Sequence, residues 1–186
     1  MNFALSLNNW HAAGGRSAMD YPRNYNAAVD FVDRHAEQGR GDKPAFIDPE
    51  RTLTYGALRD DCTRMGRLLR EHRLEAESRV AMLVLDTVDF PVIFLGCIRA
   101  GVVPVALNTL LTTDQYEYIL GDCRARALFI SAPLLATVEP ILGKLLSLAH
   151  VFVVGGTADD HHDLSTELAA QPADCPPAQT CADETA

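Results

Sequence analysis

Short continuous apolar runs alternate with segments whose apolar residues recur every three or four positions, and this alternation fills the second half of the chain. Residues 80–85, 102–107, 127–130 and 151–154 are such runs, the pattern of strands covered on both faces. Between them, residues 88–99, 112–122 and 133–146 carry helical periodicity. Pro91 falls in the first turn of the first helix and Gly101 ends it, while Thr112 and Gln115 match a capping box at the start of the second. The order strand, helix, strand, helix, strand, helix, strand predicts an α/β fold. Its expected form is a doubly wound, mostly parallel sheet with helices on both faces.

The first half is more varied. Residues 1–23 show no period and are expected to form an N-terminal arm, with Trp10 as a possible anchor onto the body or another chain. Residues 26–38 place Ala27, Ala28, Phe31, Val32 and Ala36 on an apolar face, with Asn24 or Asn26 as cap and Gly39 as stop, so a helix is predicted. Residues 44–47 and 52–54 flank an Asp48-Pro49 turn and predict a short hairpin. From Thr54, a candidate N-cap, the residues Leu58, Cys62, Met65, Leu68 and Leu69 share one helical face.

Charge divides the chain. The net charge is −9, and the seven acidic residues after residue 156 meet no Lys or Arg, leaving residues 1–156 at −2. No clustered basic face is present for a phosphate backbone, so no nucleic acid partner is expected. The longest apolar stretch, residues 90–107, is interrupted by Pro91, Arg99, Gly101 and Pro104, so no membrane span is expected. Five cysteines with no CxxC pair suit a reducing compartment, and a cytoplasmic location is expected. Cys62, Cys97 and Cys123 sit in helical patterns as small apolar residues.

Candidate chemistry is sparse. Gly155-Gly156 follows a buried strand but matches neither a dinucleotide fingerprint nor a P-loop, and a plain turn is the reading. His161, His162 and Asp163, with Cys175 and Cys181 downstream, lack ligand spacing and are read as a solvated acidic loop. His35 and His72 complement helix dipoles, and His150 sits near an element end. Ser131 precedes Pro133 as a cap or turn residue, with no nucleophile elbow. The pairs Asp60–Asp61 and Asp159–Asp160 are sequence neighbours that do not face each other. No catalytic, cofactor-binding or metal-binding residue is assigned.

Two segments carry a resemblance. Arg51 to Leu58 (RTLTYGAL) and Leu95 to Asn108 (LGCIRAGVVPVALN), with Arg79 to Leu85 (RVAMLVL) between them, resemble signatures of the adenylate-forming superfamily of acyl- and aryl-CoA ligases. Tyr25 to His35 and Leu107 to Thr112 look most like benzoate-CoA ligases. The resemblance covers residues 24–154 and implies the N-terminal part of the large domain of such an enzyme. It gives Tyr55, Leu58, Gly101 and Pro104 structural roles. It also implies ATP, Mg²⁺ and CoA for the parent enzyme, none of them expected on this piece alone, and benzoate or a similar aryl carboxylate as substrate.

The family's Gly/Ser/Thr-rich phosphate loop, Tyr-x-x-Thr-Glu segment, ribose-binding Asp and C-terminal Lys have no counterpart here. Leu110 stands where some aryl-CoA ligases carry a basic residue toward CoA phosphate. Three units are expected: an arm (1–23), an α/β subdomain (24–156), and an acidic, Pro/Ala-rich linker or tail (157–186), whose residues 171–186 are expected to pack poorly on the body and to be open to protease. The rest of a ligase chain is the expected partner, and self-association is expected where apolar surface stays uncovered. A ligase for another aryl or medium-chain acid, or a short non-catalytic interaction module, stays open.

Overall fold

The computed structural model describes residues 22–156 and 160–184. Trp10 and most of the expected arm lie outside the described residues, as do Asp159 and the last two residues. Among the described residues no helix is long and apolar enough to cross a membrane.

A helical stretch over residues 27–40 opens the described chain, wound with i→i+5 hydrogen bonds at Val29–Asp33 and Ala36–Arg40. Asn26 Oδ1 accepts from Ala28 N at 3.1 Å, which selects Asn26 as the cap. Gly39 takes φ +74°, the left-handed backbone that stops the helix. Phe31, placed on the apolar face from the sequence, is instead 52% exposed, because the wider winding turns it away from Ala28 and Val32.

Strands β1 (Pro44–Ile47) and β2 (Thr52–Thr54) pair antiparallel as a separate hairpin. Helix α1 (Tyr55–Glu71) starts where Thr54 Oγ1 accepts from Ala57 N at 3.3 Å. Tyr55 rests its ring on His35, centroids 4.4 Å apart, and Leu58 is buried, as their structural reading requires.

The main sheet contains β3 (Arg79–Leu83), β4 (Val103–Ala106), β5 (Ala127–Ser131), β6 (His150–Val154) and β7 (His162–Asp163), in the order β4-β3-β5-β6-β7. Every neighbouring pair runs parallel. Helix α2 (Asp89–Ala100) follows β3, α3 (Thr113–Asp122) follows β4, and α4 (Leu135–Leu142) follows β5. A short α5 (Leu164–Ala169) follows β7.

Side-chain alternation along the strands builds two cores. Val80, Met82, Phe129 and Phe152 face α1, α2 and α5, whereas Ala81, Leu83, Leu128 and Ile130 face α3 and α4. Phe129 and Phe152 stack with centroids 4.7 Å apart, and each fully buried side chain of this size contributes about 1.5–3 kcal/mol. Gly101 adopts φ +74°, and a Cβ there would meet Ala178 Cβ at 3.1 Å.

Three expectations change. The sheet has five strands, because His162-Asp163 pairs with β6 where a loop was read. The third helix stops at Leu142, followed by i→i+3 turns at Lys144, Leu145 and Leu148. Pro140, which cannot donate to the helical ladder, and Gly143 mark that change. Residues 170–184 form a strap along the body. Ala178 N donates to Arg99 O at 2.7 Å, Arg70 reaches Pro176 O, Cys175 is buried, and Asn24 bridges Cys181. Backbone hydrogen bonds hold the strap where apolar periodicity is missing.

Candidate functional site

β3 leads out to β4 on one side, and the chain then returns to β5 on the other. In open parallel sheets that reversal leaves a crevice at the strands' carboxyl ends. A cleft of about 770 Å³ occupies this place, floored by Leu85, Ser131, Val154 and Gly155. The hairpin turn supplies Asp48, Glu50 and Arg51 to its wall, α1 supplies Asp61 and Arg64, and α5 supplies Leu164, Ser165 and Leu168.

Most polar groups of the cleft are already engaged. Asp48 Oδ1 accepts from Glu50 N at 2.9 Å and Arg51 N at 2.8 Å, and Oδ2 accepts from Val88 N at 2.9 Å. These amides, the Val88 bond foremost, hold the Asp48 carboxyl below its usual value. Asp48 thereby clips the hairpin to the start of α2. Arg51 pairs with Asp89, and Arg64 Nη1 with Asp61 Oδ1 at 2.8 Å. Burial pushes the Asp61 carboxyl up, with Arg64 pulling against it. Four carboxylates thus face two guanidinium groups, each of them paired. The lining is net negative and repels polyphosphate.

The candidates named from sequence fall into place. Ser131 Oγ accepts from Leu85 N at 3.0 Å, so it ties β5 to the end of β3; no side-chain cap forms there. Gly155 has φ +71°, and a Cβ on Gly156 would stand 2.6 Å from Ala132 Cβ, so this pair is a close-packed turn. Asp60 pairs with Arg59 at the surface, but Asp61, read as solvent-facing, lines the cleft. Leu110 is 89% exposed above an Asn108 Oδ1···Leu110 N bond of 2.9 Å and offers no charge. Burial pushes the Cys62 and Cys97 thiols up, as expected of small apolar residues.

The structure also gathers residues that sequence separation kept apart. His72 caps α1, His150 begins β6 and His162 begins β7. One ring nitrogen from each lies within 4.8 Å of the others. Phe152 floors the group, its ring 5.0 Å from His72 and 4.8 Å from His162. Glu167 on α5 completes it, Oε1 to His162 Nδ1 at 2.9 Å and Oε2 to His72 Nε2 at 3.5 Å. Burial, then repulsion from His72 and His162, pushes the His150 imidazole down. Burial alone would raise the Glu167 carboxyl; the hydrogen bond with His162 and the attraction of His72 outweigh it and bring it below its usual value.

Asp163 is a helix cap, not part of a solvated loop. Its Oδ1 accepts from Thr166 N at 2.8 Å and Ser165 Oγ at 2.7 Å, which holds its carboxyl low. Residue type alone could have flagged the histidines that end α1 and begin β6. Nothing in the sequence places them beside residue 162.

The chain is thus an open parallel α/β fold with its crevice at the strand carboxyl ends and a hairpin turn in the wall of that crevice. The chain belongs to the AMP-binding enzyme family, whose family model matches residues 32–186. It is 49% identical over 164 residues to a 4-hydroxybenzoate–CoA/benzoate–CoA ligase of Rhodopseudomonas palustris, covering 88% of this chain and 30% of that protein. It is 44% identical to a benzoate–CoA ligase of Thauera aromatica, over 77% of this chain and 27% of the relative. The crystal structure of an anthranilate CoA ligase in complex with anthranoyl-AMP superimposes with a TM-score of 0.82 at 33% identity, covering 89% of this chain and 31% of that one. The chain therefore spans about 30% of the length of the relatives it matches.

Proposed function

We propose that this chain is the N-terminal part of an ATP-dependent aryl-CoA ligase acting on benzoate. In that reaction the carboxylate attacks the α-phosphate of ATP and pyrophosphate leaves. The CoA thiol then attacks the acyl-adenylate carbonyl and AMP leaves. The observation that carries this reading is the 49% identity to a 4-hydroxybenzoate/benzoate ligase along most of the chain. Mg²⁺ would offset phosphate charge in the assembled enzyme.

The residues of this piece do not themselves suit a polyphosphate. Its cleft lining is net negative and both arginines are paired. The piece alone is therefore inactive, and its role is to scaffold later segments. Exposed Leu110, Leu146 and Ile47 are apolar positions for those segments to cover, or for self-association in their absence. A cytoplasmic location, where ATP and CoA are both supplied, suits this reading. Pyrophosphate release should follow benzoate addition when the chain is extended to the length of its relatives, and should be nil with residues 1–186 alone. Turnover by the short chain, or an extended enzyme that ignores benzoate but accepts 4-hydroxybenzoate or a medium-chain acid, would overturn the assignment.

A further inference from the structure

We propose that His72, His150 and His162 form a binding site for a zinc-class divalent cation, with Glu167 as the carboxylate that orients or completes the ligand set. The three ring nitrogens come from the end of a helix and the starts of two strands, and they converge within 4.8 Å of one another. A tetrahedral ion about 2.0–2.1 Å from each nitrogen needs them about 3.3 Å apart, so the rings must close by roughly 1–1.5 Å. That closure would come from χ rotations of the histidine rings over Phe152.

Two details point to a cation and not to ring packing alone. His72 Nε2 is buried, and its contact with Glu167 Oε2 at 3.5 Å is too loosely aligned to count as a hydrogen bond, so a metal bond would satisfy it better. His162 Nδ1 faces Glu167 Oε1 at 2.9 Å, which fixes the tautomer and leaves Nε2 for a metal, the usual carboxylate–histidine–metal arrangement. The charged and titratable groups around His150 are His72 on α1, His162 on β7, Glu167 on α5 and Arg126 before β5. Metal binds the neutral form of each imidazole.

Three imidazoles and one carboxylate select Zn²⁺, Co²⁺, Ni²⁺ or Cu²⁺ over Mg²⁺ and Ca²⁺. The site is therefore separate from any Mg²⁺ that accompanies ATP. It would act as a clip, pinning the end of α1 to the two-residue edge strand β7.

The test uses the 186-residue chain without an affinity tag. Titration with Co²⁺ alone should give saturable visible bands of tetrahedral cobalt at one equivalent, displaced by Zn²⁺ and indifferent to Mg²⁺. Zn²⁺ should raise the melting temperature. His150→Gln and His162→Gln should abolish the bands, Glu167→Gln should weaken binding about tenfold, and His35→Gln and His161→Gln should change nothing. Far-UV circular dichroism checks that each variant folds. Should a variant unfold, imidazole NMR of the unsubstituted chain decides: three of its six histidines must shift on Zn²⁺ addition. Absence of bands from folded chain, bands that survive both ligand substitutions, or shifts confined to other histidines would refute the site.

Discussion

Arg99 and Asp33 hold the opening helical stretch to α2 through Nη1···Oδ2 at 2.5 Å, both side chains nearly buried. Asp33 Oδ1 and Arg99 Nε have no hydrogen-bond partner, so each charge depends heavily on the other. Removing one partner leaves a buried charge uncompensated, which costs about 3 kcal/mol. Asp33→Ala should lower stability by that amount in urea unfolding, and Asp33→Leu with Arg99→Met should recover most of it. The histidine cluster gives a second expectation. His150 is depressed below 6.5 in the folded chain, so the unfolded chain binds more protons and the contribution of His150 is complete above 6.5 and lost as pH falls below it. Glu167, depressed below 4.5, acts in the same direction at lower pH. Without metal, melting temperature should fall from neutral to mildly acidic pH, and His150→Gln should flatten the upper part of that fall. A rise on acidification would contradict this.

At the scale of elements, the packing of α1 on α2 depends on Gly96. A Cβ there would stand 2.5 Å from Met65 Cβ and Cγ, closer than real contacts allow. Gly96→Ala should therefore destabilise by about 1–3 kcal/mol through overpacking, and Met65→Ala in the same chain should relieve part of the clash. Additive losses in the double variant would show that the helices do not meet as described. The four long strands were legible because Val80, Phe129 and Phe152 sit in unbroken apolar runs that mark burial on both faces. Strand β7 was not, since His162-Asp163 has no apolar residue and pairs only through backbone. The end of α4 was misplaced because Leu145 and Leu148 keep the helical spacing while the backbone past Pro140 and Gly143 turns more tightly. The cleft was not legible: Asp61 was read as solvent-facing and Ser131 as a cap or turn residue, and their convergence depends on strand order, which local pattern does not encode.

For the whole molecule, the family likeness and the strap along residues 170–184 decide what the chain can do. A Pro- and Ala-rich composition suggested an end open to protease, yet Cys175 is buried and Thr180 Oγ1 donates to Tyr25 O at 2.6 Å. Limited proteolysis should spare residues 170–184 while the fold is intact. Early cleavage there, ahead of any loss of helical signal, would mean the strap does not hold. Cutting it deliberately after Gln171 should lower stability and expose Cys175 to thiol reagents.

The same strap sets an order of events during synthesis. Tyr25 and Thr180 exchange hydrogen bonds across 155 positions of chain. At about 5–20 residues per second, the ribosome needs roughly 8–30 s to make the intervening stretch. Until residue 178 is made the carbonyl of Arg99 lacks the Ala178 amide, and the groove that receives Cys175 stands open to water. The sheet can form as its strands emerge, but the strap closes over the body only after the first helix has waited for residue 180.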